Sequence, residues 1–367
     1  MSFLYSHRMR LYLLSACIMA TAIALGWTVE AKTIVDSAQR EVQIPGRISR
    51  IVGLGPGTLR TLVYLGVADK IIGVEGMEKK SKSARAYWLA HPEFAALPVV
   101  GPGGPAGINK EPDLEVLLRL KPDVVFVSYM ETENADKLQQ KLGFPIVLLS
   151  AGGSLSDFES TLRNSLLTAG KVLDRTQRAE KVMQFIEMTK ADVAKRISLT
   201  PARQTPSAYV GCVGFRGLHG IESSESQYPP FLWTGIRAFT DGLKAAGHLS
   251  VDKELLLKWN PELIFIDVSG LRVLRDDYSK NRDYYLGLTA FQTKRVYPLY
   301  PLNAFAVNAG NALVNAYAVG KIAFPKQFED ISLAAKADEI YSFLVGKPVY
   351  QGMVECWGPL AEPLILD

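Results

Sequence analysis

Residues 115–127 read E-V-L-L-R-L-K-P-D-V-V-F-V, and residues 254–266 read E-L-L-L-K-W-N-P-E-L-I-F-I. The two stretches align without a gap, 139 residues apart (254 minus 115), with Glu, Leu, Pro and Phe at equivalent positions. Each predicts a short helix, a proline that ends it, and a buried strand, because proline cannot continue a helix and a continuous apolar run suits a strand covered on both faces. This spacing is too long for the repeat unit of a solenoid protein. The repeat therefore predicts two similar α/β lobes.

The remaining pattern alternates strands, turns and helices. A weakly alternating hairpin is predicted at 33–44, before the core of the first lobe. In the second lobe, a loop is predicted at 214–233 and a last strand at 296–297. The predicted strands of the first lobe are 51–54, 71–74, 124–127 and 146–149. The second lobe is predicted to begin with a strand at 208–213, and the second copy of the repeated stretch ends in another strand. The predicted helices of the second lobe are 237–246, 311–322 and 333–345, followed by a tail expected to pack on that lobe.

The segment 154–199 has no strand signal and predicts two consecutive helices. The second has a capping-box pattern, Asp174-x-x-Gln177, and should end before Pro201. It could be an ordinary crossover helix or a strut between lobes, and its place between two strand-rich halves favours the strut. The predicted divisions are 32–153 for the first lobe, 154–200 for the interlobe helices and 201–367 for the second lobe.

The N-terminal segment 1–31 predicts an export signal. Basic residues including Arg8 and Arg10 precede an apolar run at 11–27, and Val29-Glu30-Ala31 then resembles a cleavage site with small residues at both ends. We expect a cleaved signal peptide and a periplasmic protein. Two alternatives are a retained anchor and a lipid anchor on Cys17, which has only a short apolar run before it.

Composition limits the choice of partner. The chain of 367 residues carries a formal net charge of +4 without runs of Lys or Arg. This mild basicity gives no sign of a nucleic-acid-binding surface. Outside the predicted signal there are two cysteines, Cys212 and Cys356, which could form a disulfide or remain two buried thiols.

The groups that catalysis requires are not arranged in a recognisable pattern. The four histidines have no metal-ligand spacing, the cysteines form no C-x-x-C pair, and no G-x-S-x-G motif occurs. We therefore expect no enzyme, no cofactor and no protein-bound bare metal ion.

One motif resembles a dinucleotide-binding fingerprint. Gly53, Gly55 and Gly57 follow a strand and open a helix, and Glu75 ends the next strand. The third glycine comes one position early and Pro56 stiffens the turn, so the motif is weak. It could also be a plain turn, or a turn in which the backbone amides of Gly57 and Thr58 face a ligand oxygen.

Ligands of open α/β sheets bind beyond the carboxyl ends of the strands. The expected architecture is thus two Rossmann-like lobes, joined by a long rigid helix, with a ligand cleft between them. Arg216 could clamp an anionic oxygen or be a solvated surface arginine, and the tyrosines could stack on a ligand or pack in the core. The candidate ligand-binding residues are Pro56, Gly57, Thr58, Glu75, Tyr129, Phe215, Arg216, His219, Tyr228, Tyr300, Asn303 and Asn308.

Residues 65–74, L-G-V-A-D-K-I-I-G-V, the two segments opening on Glu115 and Glu254, and the long central helix resemble one family. It is the class III, or helical-backbone, group of periplasmic substrate-binding proteins of ABC importers for iron chelates and cobalamin. The resemblance implies a monomeric receptor that delivers its ligand to an inner-membrane permease dimer with its ATPase. It also implies that Glu115 and Glu254, one on each lobe, dock onto arginines of the permease.

The resemblance narrows the ligand only partly. Receptors of related architecture that bind zinc or manganese supply several histidines, which this chain lacks. A chelated metal or an oxyanion suits the sequence better. Residues 217–231 and 346–350 resemble a subgroup described as binding iron complexes, so an iron chelate is the first choice, with cobalamin or a molybdate- or tungstate-type oxyanion as alternatives.

Two other classes of function stay open. An exported Rossmann-type oxidoreductase would use the glycine motif and Glu75. A sensor or scaffold subunit would keep both lobes without a role in transport.

Overall fold

The computed structural model describes residues 31–80, 85–104, 107–152, 155–198, 200–201, 204–243 and 247–366. The predicted signal, Ala31 excepted, and Cys17 lie outside these residues. Within these ranges, every helix is too short or too polar to span a bilayer.

The first lobe contains an antiparallel hairpin and a parallel sheet. The hairpin pairs β1 (Lys32–Val35) with β2 (Glu41–Ile44). The sheet contains β3 (Ile51–Leu54), β4 (Ile71–Gly73), β5 (Val124–Val127) and β6 (Ile146–Leu148), in the order β4-β3-β5-β6. All three strand pairs are parallel.

The second lobe repeats this sheet. Its strands are β7 (Ser207–Gly211), β9 (Arg237–Ala238), β11 (Leu263–Asp267) and β12 (Val296–Leu299), in the order β9-β7-β11-β12 and all parallel. In both lobes the first strand lies between the second and the third. An antiparallel pair, β8 (Ser223–Ser226) with β10 (Gly247–Ser250), is added to the second lobe.

Helices surround the two sheets. In chain order they are α1 (Thr58–Tyr64), α2 (Gly76–Lys80), α3 (Ala86–Ala90), α4 (Leu114–Leu120), α5 (Thr132–Leu142), α6 (Phe158–Leu173), α7 (Thr176–Ile197), α8 (Pro229–Thr234), α9 (Lys253–Trp259), α10 (Leu271–Lys280), α11 (Arg282–Leu286), α12 (Thr289–Gln292), α13 (Ala309–Ala323), α14 (Leu333–Val345) and α15 (Tyr350–Trp357).

The repeated sequence forms the same structure twice. Helix α4 precedes β5, and α9 precedes β11. Each helix ends on a residue in the left-handed conformation, Lys121 and Asn260, both at φ 47°. Leu117 and Leu256 are equivalent and both are buried. The prediction of a helix, a stop and a buried strand in each lobe is confirmed.

The two consecutive helices predicted in 154–199 are also confirmed as α6 and α7, but the capping box is wrong. Asp174 ends α6 at φ 55°, and its carboxylate accepts a hydrogen bond from Lys32 Nζ at 2.6 Å. Helix α7 begins at Thr176 without a side-chain cap. Its 22 residues span roughly 33 Å at ~1.5 Å per residue.

Two predictions in the second lobe are corrected. The segment 214–233 is not one loop, because it contains all of β8 and most of α8. The helix predicted at 237–246 is absent over 237–243, where β9 and the 3-10 turn Phe239–Gly242 stand instead. Ala238 is buried and Arg237 is exposed, an alternation that suits a strand joining β7; residues 244–246 lie outside the described part.

One apolar core runs through both lobes, from Ile34 to Leu360. Helix α14 contacts α1 and α3 of the first lobe, and α15 contacts α3 as well. The C-terminal tail therefore packs on both lobes and not, as predicted, on the second lobe alone. The reason is that α15 follows directly after α14, which already lies against the first lobe.

The disulfide, one of the two alternatives for Cys212 and Cys356, is not formed. Both cysteines are free; Cys212 is buried whereas Cys356 is exposed. The alternative of two buried thiols thus holds for Cys212 only.

Candidate functional site

The carboxyl ends of β7, β11 and β12 open into a cavity of about 350 Å³ between the lobes. Gly214 follows β7, Ser269 follows β11, and the segment 301–305 follows β12. This is the place where an open parallel sheet offers a ligand site. The lining residues are Met77, Arg85, Gly214, Gly217, Leu218, Ser269, Pro301, Asn303, Ala304, Phe305, Asn308, Asn311 and Trp357.

The start of α13 contributes two buried amides to this cavity. Asn308 is the N-cap of α13, and its Oδ1 accepts from the Asn311 amide N–H. The side chain of Asn311 donates to Pro301 O at 2.8 Å and accepts from Tyr341 Oη at 3.0 Å. These bonds fix the orientation of both amides within the protein.

Arg85 carries the positive charge of the cavity wall. Its guanidinium lies 2.9 Å from the Glu78 carboxylate and 5.3 Å from the Phe305 ring centre. Tyr87 Oη also donates to Glu78. Burial raises the pKa of Glu78, and the Arg85 charge opposes that rise.

The loop after β12 is held by an arginine of the first lobe. Arg60 Nη2 donates to Phe305 O at 2.9 Å and to Ala306 O at 3.0 Å. Phe305 and Ala306 both adopt the left-handed conformation, at φ 60° and 63°, which is costly for residues with a Cβ. Arg60 thus fixes this strained loop across the cleft.

A second, smaller cavity of about 60 Å³ lies on the other side of the same loop, which contributes Ala306 and Val307. Four predicted residues line it: Pro56, Gly57, Thr58 and Tyr129. The amide N–H of Thr58 donates to Gly55 O at 3.3 Å, so it is not available to a ligand oxygen.

Glu75 does not line either cavity. It borders a void of about 10 Å³ behind the turn at Gly55, whose N–H donates to its carboxylate. Burial raises the pKa of Glu75 to about 7. The ligand role expected of Glu75 is replaced by a structural one, because the carboxylate that a ribose would need already binds the glycine turn.

Three predicted residues lie next to the cavity wall in sequence but do not line the cavity: Phe215, Arg216 and His219. Phe215 stacks on His248 with ring centres 4.2 Å apart, and His219 Nε2 lies 2.7 Å from Phe215 O. Arg216 is exposed, with its guanidinium 5.3 Å from the Phe215 ring. Their neighbours Gly217 and Leu218 line the cavity instead.

Two predicted tyrosines belong to the core. Tyr228 is fully buried and makes an edge contact with Phe231. Tyr300 is equally buried and donates to Gly358 O at 3.1 Å. Neither side chain reaches a cavity, so the proposed stacking on a ligand is corrected to packing. Of the remaining candidates, Asn303 and Asn308 line the larger cavity.

Sequence reasoning missed Arg85, Asn311 and Trp357. One signal was present for Asn311: Asn308, Asn311 and Asn315 recur on one face of an otherwise apolar helix. Such buried amides need fixed partners. Arg85 and Trp357 lie outside the predicted loops and reach the cavity only through packing between the lobes.

The two repeat-equivalent glutamates lie away from this cavity. Glu115 and Glu254 are both exposed in the first turn of their helices, α4 and α9. A negative charge is favoured there by the helix dipole, which is a sufficient structural reason for each alone.

The sequence pattern of the family described as "Periplasmic binding protein" matches residues 51–301. The chain belongs to this family. The predicted resemblance to class III receptors of ABC importers is thereby confirmed.

The individual relatives share 24% or less of their sequence with this chain. The molybdate-binding protein MolA of Haemophilus influenzae is 24% identical over 351 residues, covering 90% of this chain and 94% of MolA. The petrobactin-binding protein YclQ of Bacillus subtilis is 21% identical over 285 residues, covering 73% of this chain and 82% of YclQ. A periplasmic solute binding protein of known structure from Veillonella parvula is similar with a TM-score of 0.69, at 19% identity, covering 89% of this chain and 97% of that one.

These comparisons establish the class of protein. The α/β fold with two lobes is that of periplasmic solute-binding proteins of ABC importers, and the relatives are binding proteins, not enzymes. Their ligands differ from one relative to another. Within the described part of the chain, no three His, Cys, Asp or Glu side chains are grouped so as to hold a metal ion.

Proposed function

We propose that this protein captures a metal chelate, in the first place an iron complex, in the 350 Å³ cavity and delivers it to an ABC importer. The cavity carries this proposal. Its volume lies within the usual range for small-molecule sites. Its wall combines an aromatic ring and a thioether, Trp357 and Met77, with amides and one guanidinium, a mixture that suits an organic ligand with polar groups.

Metal wrapped in a chelator needs no protein ligands, which accords with the side chains of the wall. Neutral amides and apolar groups dominate the lining, and the described residues that form it include no carboxylate, imidazole or thiol to hold a bare metal ion. The walls recognise the organic shell, and the metal stays within it.

A second candidate is a molybdate- or tungstate-type oxyanion. The observation in its favour is the MolA relative, which matches 90% of this chain. A tetrahedral oxyanion is much smaller than 350 Å³, so water or lobe closure would have to fill the remaining volume.

The route of delivery completes the proposal. A signal at 1–31 exports the chain to the periplasm and is removed. Glu115 and Glu254, exposed at equivalent places of two similar lobes, each contact an arginine of a twofold permease dimer. The segments 32–153 and 201–367 act as lobes around the helices of 154–200.

Calorimetric titration of the purified protein tests the ligand class. We expect binding of ferric chelates with micromolar or lower Kd, and weaker binding of molybdate. Leu218→Trp should reduce affinity at least about tenfold by filling the cavity, whereas Leu286→Trp, at an exposed site outside the lining, should not.

Several outcomes would change the proposal. Tight binding of molybdate alone would select the oxyanion receptor. Unchanged affinity in Leu218→Trp would show that the ligand does not bind in this cavity. A tightly bound nicotinamide or flavin in the purified protein would favour the oxidoreductase.

A further inference from the structure

The orientation of the Asn308 side chain is decided by the helix that it caps. Its Oδ1 lies 3.4 Å from the Asn311 amide nitrogen and 3.5 Å from Tyr64 Oη. Only the carbonyl oxygen of an amide can accept these bonds. The Nδ2 group must therefore point the other way, and Asn308 lines the 350 Å³ cavity.

This Nδ2 group is buried and still has a hydrogen bond to give. Asn308 is 1% exposed, and its Nδ2 has no hydrogen-bond partner among the described residues. Leaving such a donor unpaired costs roughly 1–3 kcal/mol. The neighbouring amide Asn311, by contrast, uses both ends of its side chain within the protein. Asn308 is thus the amide that is prepared for an external acceptor.

The surroundings favour an acceptor with negative charge. Helix α13 has 15 residues, and its positive end is at Asn308. The first-turn amides of Gly310 and Asn311 are engaged by Tyr64 Oη and Asn308 Oδ1, so the helix supplies its field and Asn308 Nδ2 supplies the hydrogen bond. Arg85, 4% exposed, adds a guanidinium to the same cavity.

Nearby carboxylates do not occupy this position. Glu78 lies against Arg85 at 2.9 Å and receives a hydrogen bond from Tyr87. Asp267 Oδ1 accepts from Ser269 N and Oγ at 2.9 and 2.6 Å, and Asp267 itself is outside the lining.

We propose that an anionic oxygen of the ligand binds Asn308 Nδ2 at the N-terminus of α13, with Arg85 supplying a positive charge in the same cavity. The ligand is then an anionic metal complex, with a carboxylate or catecholate oxygen exposed, or a free oxyanion. This inference rests on the proposed function, because it places the ligand in the same cavity and names its charge.

Two variants separate this role from the capping role. Asn308→Asp keeps the cap, since Asp is as good an N-cap as Asn, but replaces the unpaired Nδ2 donor with a second carboxylate oxygen. Asn308→Ser also keeps a capping oxygen and removes the donor without adding charge. Asn164→Asp, on an exposed position of α6, controls for the change in net charge.

The probes are ferric citrate and a ferric tris-catecholate, which are anionic, molybdate, cyanocobalamin, which is neutral, and ferrioxamine B, which is cationic. Each is titrated by calorimetry into wild type and the three variants, with thermal unfolding recorded in parallel. We expect wild type to prefer an anionic probe, Asn308→Ser to bind it about tenfold more weakly and Asn308→Asp about a hundredfold more weakly. Asn164→Asp should match wild type, and the melting temperature of Asn308→Ser should stay close to that of wild type.

Which anionic probe binds distinguishes a chelate from a free oxyanion. Unchanged affinity for that probe in both Asn308 variants would overturn the inference. So would a wild type that binds only cyanocobalamin or ferrioxamine B, although the proposed chelate receptor would then stand. A wild type that binds none of the five probes would count against both.

Discussion

At the scale of single residues, Gly55 shows how closely the turns that follow the strands of the first lobe pack on one another. It adopts φ 83°, and a Cβ there would lie 2.3 Å from the carbonyl oxygen of Ser128. Ser128 follows the neighbouring strand β5, so the turn after β3 presses directly on the turn after β5. The glycine motif serves this backbone contact.

Gly55→Ala should therefore destabilise the protein more than a positive φ alone explains. Gly66→Ala is the matched control, since Gly66 has φ 70° and a methyl group added there would meet no atom within 4 Å. We expect about 1 kcal/mol for Gly66→Ala and at least about 2 kcal/mol more for Gly55→Ala, measured by urea unfolding. Equal losses in the two variants would contradict the close contact.

Glu75 makes a second prediction at this scale, on pH. Burial raises its pKa to about 7, so the folded protein holds this proton more tightly than the unfolded chain does. The contribution of Glu75 to stability is therefore fully present at low pH and is lost as the pH rises from about 4.5 to about 7.

Glu75→Gln should remove this loss while keeping an oxygen for the Gly55 amide. Its free energy of unfolding should exceed that of wild type by about 1–3 kcal/mol at pH 8, and the difference should shrink toward zero near pH 4.5. Urea unfolding at both values measures it. Glu133→Gln, on an exposed helical turn, should show no such dependence; a constant difference in Glu75→Gln would refute the assignment.

At the scale of elements, α7 is attached to both lobes along its length. Arg178 donates to Tyr64 O at 2.9 Å and to Phe343 O, and Tyr317 Oη donates to Asp192 at 2.6 Å. Its apolar face packs on α6, α8 and α13. These contacts support its role as a strut between lobes.

Truncating the packed face should cost far more than truncating the exposed one. Ile186 is fully buried in the core, whereas Met188, two residues later, is 64% exposed. We expect about 2–5 kcal/mol of lost stability for Ile186→Ala and less than about 0.5 kcal/mol for Met188→Ala, by urea unfolding. Similar values would mean that α7 is not packed as described.

At the scale of the whole molecule, Glu115 and Glu254 are exposed at equivalent places of the two lobes, where we propose that they dock onto one permease dimer. Reversing both charges, Glu115→Arg with Glu254→Arg, should weaken binding to the permease at least about a hundredfold, because like charges would meet at both contacts. Ligand affinity, measured by calorimetry, should not change. Transport into proteoliposomes that contain the permease and its ATPase measures the loss.

The matched control is Glu133→Arg with Asp283→Arg. These acids are also exposed and also lie in the first turn of a helix, α5 and α11. Normal transport by the control and failed transport by the test pair would support docking. Normal transport by both would reject it.

The sequence predicted the repeated elements and the alternation of strands and helices, since these follow from local patterns. The apolar runs at β5 and β11, the prolines after α4 and α9, and the strandless segment of α6 and α7 each carry their signal within about ten to forty residues. Family membership followed from the same segments.

Where two local rules compete for the same residue, only the tertiary structure shows which of them applies. Asp174 has the residue type of an N-cap, yet it ends α6 and pairs with Lys32, far away along the chain. Tyr228 and Tyr300 lie in segments that read as loops, and packing against Phe231 and Tyr350 buries them.

The sequence by itself determined two α/β lobes, a helical connection and the loops from which a site could be built. The tertiary structure alone decided the cavity, because Arg85 and Met77 of the first lobe meet Asn308, Asn311 and Trp357 of the second only when α14 and α15 pack across both. Contacts between residues more than two hundred positions apart leave no periodic trace in the chain. They are set by the free energy of packing the whole core.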